Sequence, residues 1–354
     1  MNAQFTQHNL IFKQASGTSR GVLTTKETYL LEISKNGQKG IGECAIFRGL
    51  SYDDVPDYEE KLTWLCENIH SDFEVLKKEL LHYPSIIFGL EQAFLNLEHG
   101  EDLYFPSDFT DGKDSIKING LIWMGNADFM QSQIEEKLAK GFDCIKLKIG
   151  VDWKSEKEII KKLREKFPKE QLELRVDANG AFSYEEARMV LQELADLGIH
   201  SIEQPIKKSE VRSPKSEENS EKNSTDCSAP WNEMAKLCAE TPTPIALDEE
   251  LIGVIDFEEK KKLLETIKPQ YIILKPALVG GFSGSDEWIA IAESLGINWW
   301  ITSALESNIG LNAICQYTYT KKNPLPQGLG TGALFTNNFE THLQLEGDQM
   351  WHKK

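Results

Sequence analysis

From about residue 113 onward, short apolar runs alternate with segments whose apolar residues recur at helical spacing. The runs cover 115–123, 142–149, 172–178, 199–206, 244–251, 270–278, 297–305 and, more weakly, 325–330. Between them lie amphipathic stretches such as 128–140, 154–166, 184–197, 257–267 and 285–295. Eight strand-length runs separated by helices predict a closed parallel α/β barrel. An open doubly wound sheet fits less well, because no G-x-G-x-x-G follows an early strand.

The first hundred residues have a different texture. The stretch 29–34 (YLLEIS) reads as a strand, Asn36-Gly37 as a hairpin turn, and 40–44 (GIGEC) as returning extended chain. Helical spacing follows over 54–81, with Leu62, Trp64, Leu65, Ile69, Phe73 and Leu76 in phase. A second helix over 85–98 is bounded by Pro84 and Gly100. Strands followed by helices predict a small α+β domain over 1–112, placed before a barrel over 113–334. The segment 335–354 is expected to pack back on the first domain. One stretch breaks the barrel rhythm: 207–230 holds five basic and five acidic residues and almost nothing apolar, so it reads as a solvated loop insertion.

Composition narrows the function classes. Acidic residues number 56 against 39 basic ones, a net charge of −17, which argues against a nucleic-acid or anionic-membrane surface. The six cysteines, at 44, 66, 144, 227, 238 and 315, form no C-x-x-C pair and read as buried thiols. The seven histidines show no H-E-x-x-H or triad-like placement. No apolar run approaches membrane-spanning length, and the start lacks a signal-peptide pattern, so the expected compartment is the cytoplasm.

Barrel enzymes carry their chemistry at the C-terminal ends of the strands. Charged residues late in apolar runs are Lys146 and Lys148 (CIKLKIG), Asp177 (LELRVDANG), Glu203 (HSIEQP), Asp248 (IALDEE) and Lys275 (YIILKPAL). Successive gaps from 148 are 29, 26, 45 and 27 residues, and the long one contains the 24-residue polar insertion. With 115–123 as strand one, Lys148 ends strand two and Lys275 ends strand six, on opposite sides of the barrel. Asp177, Glu203 and Asp248 end the three strands between them. Three converging carboxylates suit a hard cation, Mg²⁺ before zinc. Lys146 and Lys148, two apart, share the interior face. This pattern fits proton abstraction next to a carboxylate, with a lysine as the base.

These pieces resemble the enolase superfamily: K-L-K (146–148), D-A-N-G (177–180), E-Q-P (203–205), D-E-E (248–250) and K-P (275–276). Its o-succinylbenzoate synthase branch is resembled most closely, through IKINGLIW (116–123), ALVGGF (277–282), TSALESNIG (302–310) and QGLGTG (327–332). GIGECAIFRGLSYDD (40–54) is similar to the superfamily's capping domain. The resemblance implies a (β/α)7β barrel with an α+β cap, and Mg²⁺ with Mn²⁺ as a possible substitute. It implies syn-dehydration of a succinyl-hydroxycyclohexadiene carboxylate, a small dicarboxylate, with no nucleic-acid or membrane partner. Lys148 would act as base and then acid, and Lys275 would steady the enediolate. Asp177, Glu203 and Asp248 would bind the metal, supported from behind by Lys146, Asn179 and Glu249. Ser303, Gly328 and Gly330 would hold the substrate's carboxylates under a loop carrying Arg20. N-acylamino-acid racemase, dipeptide epimerase and muconate cycloisomerase activities stay open as alternatives. So does a barrel that has lost catalysis and serves as a binding protein. A D-x-D on the last strand, expected of dipeptide epimerases, is missing.

Overall fold

A computed structural model of the chain describes residues 1–18, 21–123, 125, 127–209 and 231–353. The chain opens with an antiparallel meander, β1 (Asn2–Thr18), β2 (Gly21–Lys35) and β3 (Gln38–Cys44). Helices α1 (Tyr58–Asn68), α2 (Phe73–Glu79) and α3 (Pro84–His99) follow. The glycines of GIGEC are explained by close approach. A Cβ on Gly40 would stand 2.1 Å from Ala93 O, and one on Gly42 would stand 2.0 Å from Gly89 O. Strand β3 therefore lies directly against α3, and the glycines permit it.

Next come β4 (Ile116–Lys117), β5 (Gly120–Ile122), α4 (Ala127–Ala139), β6 (Cys144–Lys148), α5 (Trp153–Lys166) and β7 (Glu173–Asp177). They are followed by α6 (Tyr184–Asp196), β8 (Ser201–Glu203), α7 (Asn232–Glu240), β9 (Ile245–Leu247), α8 (Phe257–Ile267) and β10 (Tyr271–Leu274). The short α9 (Pro276–Val279), then α10 (Gly281–Ser294), β11 (Asn298–Ile301) and α11 (Asn308–Lys321) complete the alternation. Strands β5 to β11 form one parallel sheet in sequence order. The weak eighth run closes it: Gln327 bridges to Ile118 and Gly328 to Thr302, both in parallel. The predicted barrel with its α+β cap is thus the observed fold. A final hairpin, β12 (Leu343–Glu346) and β13 (Gln349–His352), adds to β4.

Three local expectations change. The sequence pattern does not predict the long β1, because its polar residues fall on the exposed face of a meander whose inward positions, Leu10 and Phe12 among them, are few. The helical stretch 54–81 is two helices: Asp72 breaks it by accepting from the Glu74 amide as a new N-cap. The run 270–278 stops as a strand at Leu274, since Pro276 starts a helix. Most of the polar insertion and Arg20 lie outside the described residues. No helix among those described is long and apolar enough to cross a membrane.

Candidate active site

Strand alternation decides which side chains enter the barrel. On β6, Ile145 and Leu147 join the apolar layer beneath the helices, so Lys146 and Lys148 point the other way. Parallel register then sets the level of the neighbours. Lys148 lies opposite Asp177, and Asp177 lies opposite Glu203. Asp248 directly follows β9, and Lys275 directly follows β10. The strand ends therefore gather two lysines around three carboxylates, with Lys146 one level below.

The carboxylates are nearly solvent-free, each 2% exposed. Lys146 Nζ bonds Glu203 at 2.7 Å and Asp177 at 3.4 Å. Lys148 Nζ bonds Asp177 at 3.1 Å and Asn179 Oδ1 at 2.5 Å. Lys275 donates to Asp248 and stands 3.9 Å from Glu203 Oε1. Burial and the adjacent Asp177 charge push the Glu203 carboxyl up to about 7. Burial also raises Asp248, against the pull of Lys275. Asp177 goes the other way: burial would raise it, but the ammoniums of Lys148 and Lys146 hold it below the usual range. Lys275 and Lys146 are raised; burial would lower each, but the surrounding carboxylates together outweigh it, Asp248 foremost for Lys275 and Glu203 for Lys146. This is a compact array of alternating charge in a water-poor barrel mouth.

A cavity opens above this array. Its floor includes Lys146, Lys148, Asp177, Asn179, Glu249 and Lys275. Asn119, Leu121, Trp123 and Thr302 form one wall, and Phe47 and Leu50, from the turn after β3, form another. Ser303, Gly328, Gly330 and Thr331 continue the lining beside Asn119 and Thr302. Glu249 accepts from Asn179 Nδ2 at 3.1 Å, whereas Lys146 reaches Glu203 and Asp177. The Ser303 hydroxyl donates to Glu306 at 2.5 Å and accepts from Thr331 at 2.8 Å. Glu306 also accepts from the Ala304 amide, so it shapes this turn. Phe47, Leu50, Asn119, Leu121 and Thr331 are lining residues that spacing did not single out: the three apolar ones look like ordinary core, and Asn119 and Thr331 like ordinary connecting residues.

The donor set fits a hard divalent cation: three buried carboxylates from adjacent strands, with no nitrogen or sulfur among them. Glu203 Oε1 is buried without a hydrogen-bond partner, as a waiting ligand would be. In this structure the lysines bridge the carboxylates.

Residues 130–216 and 227–349 match the enolase C-terminal domain-like family, with the break inside the polar insertion. The chain belongs to the enolase superfamily. Members of this superfamily bind Mg²⁺. The chain is 41% identical to an o-succinylbenzoate synthase from Desulfotalea psychrophila, over 98% of each. It is 28% identical to an N-succinylamino acid racemase from Thermus thermophilus, over 83% of this chain and 75% of the relative. The crystal structure of MenC from Desulfotalea psychrophila superposes with a TM-score of 0.84 at 39% identity, over 99% of each chain.

Proposed function

We propose that this superfamily member is an o-succinylbenzoate synthase, converting 2-succinyl-6-hydroxy-2,4-cyclohexadiene-1-carboxylate to 2-succinylbenzoate in menaquinone biosynthesis. The observation that carries the proposal is the pair of lysines ending opposite strands, with three carboxylates on the strands between, in a chain 41% identical to such an enzyme. Asp177, Glu203 and Asp248 hold Mg²⁺, for which Mn²⁺ substitutes. Bound there, the cation supplies positive charge to the carboxylate beside the carbon that loses its proton.

Lys148 takes that proton. It then returns the proton to the departing hydroxide on the same face, so water leaves and the ring becomes aromatic. Lys275, on the far side, offsets the negative charge that builds between these events. Asn179 orients the Lys148 amine, and Lys146 favours the charged forms of Asp177 and Glu203 beneath the site. Ser303 and the backbone at Gly328–Gly330 position the substrate's second carboxylate.

The test is an ultraviolet assay for ring aromatisation, with Mg²⁺ and after chelation. Turnover that is lost with EDTA and restored by Mg²⁺ is expected. No turnover by folded, Mg²⁺-supplied protein refutes the reading. N-succinylamino acid racemisation is a second reading, favoured by the two opposed lysines, since each faces one side of a substrate's acidic carbon. Polarimetry on N-succinyl amino acids measures it.

A further inference from the structure

A second cluster of ligating side chains lies apart from the catalytic mouth. Among the described residues, Asp102, His342 and His352 bring one oxygen and two ring nitrogens within 4.8 Å of one another. Asp102 Oδ2 stands 2.6 Å from His342 Nδ1 and 3.2 Å from His352 Nε2, and the two ring centroids are 5.3 Å apart. None of the three lines the catalytic cavity. They belong to the turn after α3 and to the two ends of the terminal hairpin, so sequence spacing could not reveal them.

We infer that this cluster is a zinc site, distinct from the carboxylate site of the barrel. Each imidazole can donate a ring N–H to Asp102 Oδ2, and a cation that takes the place of these two protons meets all three side chains at once. Two imidazoles and one carboxylate suit zinc better than the all-oxygen preference of Mg²⁺. The carboxylate is also unevenly used: Oδ2 faces both rings, while Oδ1 is buried without a partner. A zinc ion bound between the three would draw on that idle oxygen. The site is anchored and reachable at once. His352 is fully buried against Phe109, whereas the His342 side chain is 43% exposed, leaving room for a water as fourth ligand. The Asp102 backbone is fixed by Asn312 and Gln316 of α11, which both donate to its carbonyl. Zinc here would tie the hairpin to a turn about 240 residues earlier and to α11, as a structural clip.

The experiment uses full-length protein stripped with EDTA and returned to excess Mg²⁺, which keeps the barrel carboxylates occupied. Zinc is then titrated, with metal content and thermal midpoint as readouts. Co²⁺, as a visible-absorbing probe, reports nitrogen-containing tetrahedral coordination. The wild type should retain one equivalent of zinc and show a rise in midpoint. Removing a mere supporting residue costs 10–100-fold in metal affinity, so the ligand loss in His342→Ala should cost about 100-fold or more. His342 is exposed enough for that variant to fold, and Asp102→Asn provides a second test with little change in shape. Equal zinc binding by wild type and both variants would overturn the assignment. So would a wild-type midpoint that responds to pH but not to zinc.

Discussion

Glu43 offers the sharpest test of how cap and barrel are joined. It sits on β3, wholly buried, and is held over α11 by the glycine-permitted contact of β3 with α3. Its carboxylate accepts from Ser307 N at 2.9 Å, Ser307 Oγ at 2.6 Å, Gly310 N at 2.9 Å and Thr28 Oγ at 2.8 Å. It thus caps the positive end of the helix that follows the cavity-lining turn 303–306. Glu43→Ala strands these donors. The Thr28 hydroxyl can turn to another acceptor, Cys44 O, whereas the Ser307 hydroxyl only accepts from Ile309 N and loses the acceptor of its own proton. The two backbone amides lose theirs as well, and each buried unmet donor costs about 1–3 kcal/mol. Losing the charge at the helix start adds roughly 0.3–1 kcal/mol. Relief from burying a carboxylate offsets part of this, leaving an expected loss of about 2–5 kcal/mol, a large share of a typical domain's stability. Urea unfolding followed by circular dichroism measures it, with Glu43→Gln expected to lose less because one acceptor oxygen remains. A Glu43→Ala midpoint shift worth under about 0.5 kcal/mol, the range of an ordinary surface change, would refute the capping argument.

Three further outcomes are expected. Lys148→Ala should cut dehydration by about 10²–10⁴-fold, the usual worth of a positioned acid–base group, with an unchanged circular dichroism spectrum; retained turnover removes Lys148 from the mechanism. Glu91, which accepts from the Phe282 and Ser283 amides at the start of α10, is pushed up by burial to about 7 from 4.5. The folded carboxyl therefore keeps its proton where the unfolded one has lost it. Its contribution to stability falls as pH rises through that window, by on the order of 3 kcal/mol in all, and Glu91→Gln should flatten the urea midpoint between pH 5 and 7.5. Arg175, 1% exposed, lies 4.2 Å over the Trp300 ring and donates to Glu173 and to Pro326 O. Arg175→Met should cost roughly 2–3 kcal/mol in urea unfolding, with Glu173 partly rehydrated; no loss would show that the guanidinium does not brace the barrel floor.

The barrel was legible because its strands are buried on both faces and so appear as plain apolar runs. The charged strand ends stood out against that background, and the regular gaps from Lys148 to Asp177 to Glu203 and from Asp248 to Lys275, with the polar insertion accounting for the long one between, gave their angular order. The walls of the cavity were not legible. Phe47 and Leu50 enter it only because Gly40 and Gly42 let β3 settle on α3, a packing event rather than a local pattern. Asp102, His342 and His352 were hidden for a similar reason: their meeting depends on a terminal hairpin pairing with β4. The polar face of β1 concealed a strand whose stability comes from its partner β2.

The eighth strand has a consequence for how the molecule comes to exist during synthesis. Gln327 donates its amide to Lys117 O, accepts from Asn119 N, and offers its side-chain oxygen to Ile301 N, joining both free edges of the sheet. Its bridge to Ile118 spans 327 − 118 = 209 residues. A nascent chain that has produced everything through β11 still carries two open edges, at β5 and β11, ready to pair with other chains. Only when the short stretch around Gln327 emerges can the ring shut, with the loop-closure entropy of the whole barrel met at that step. The strand with the fewest ladder bonds therefore sets when the newborn protein becomes safe from its neighbours. Slowing translation just before residue 327 should lengthen that exposure and raise the aggregated fraction.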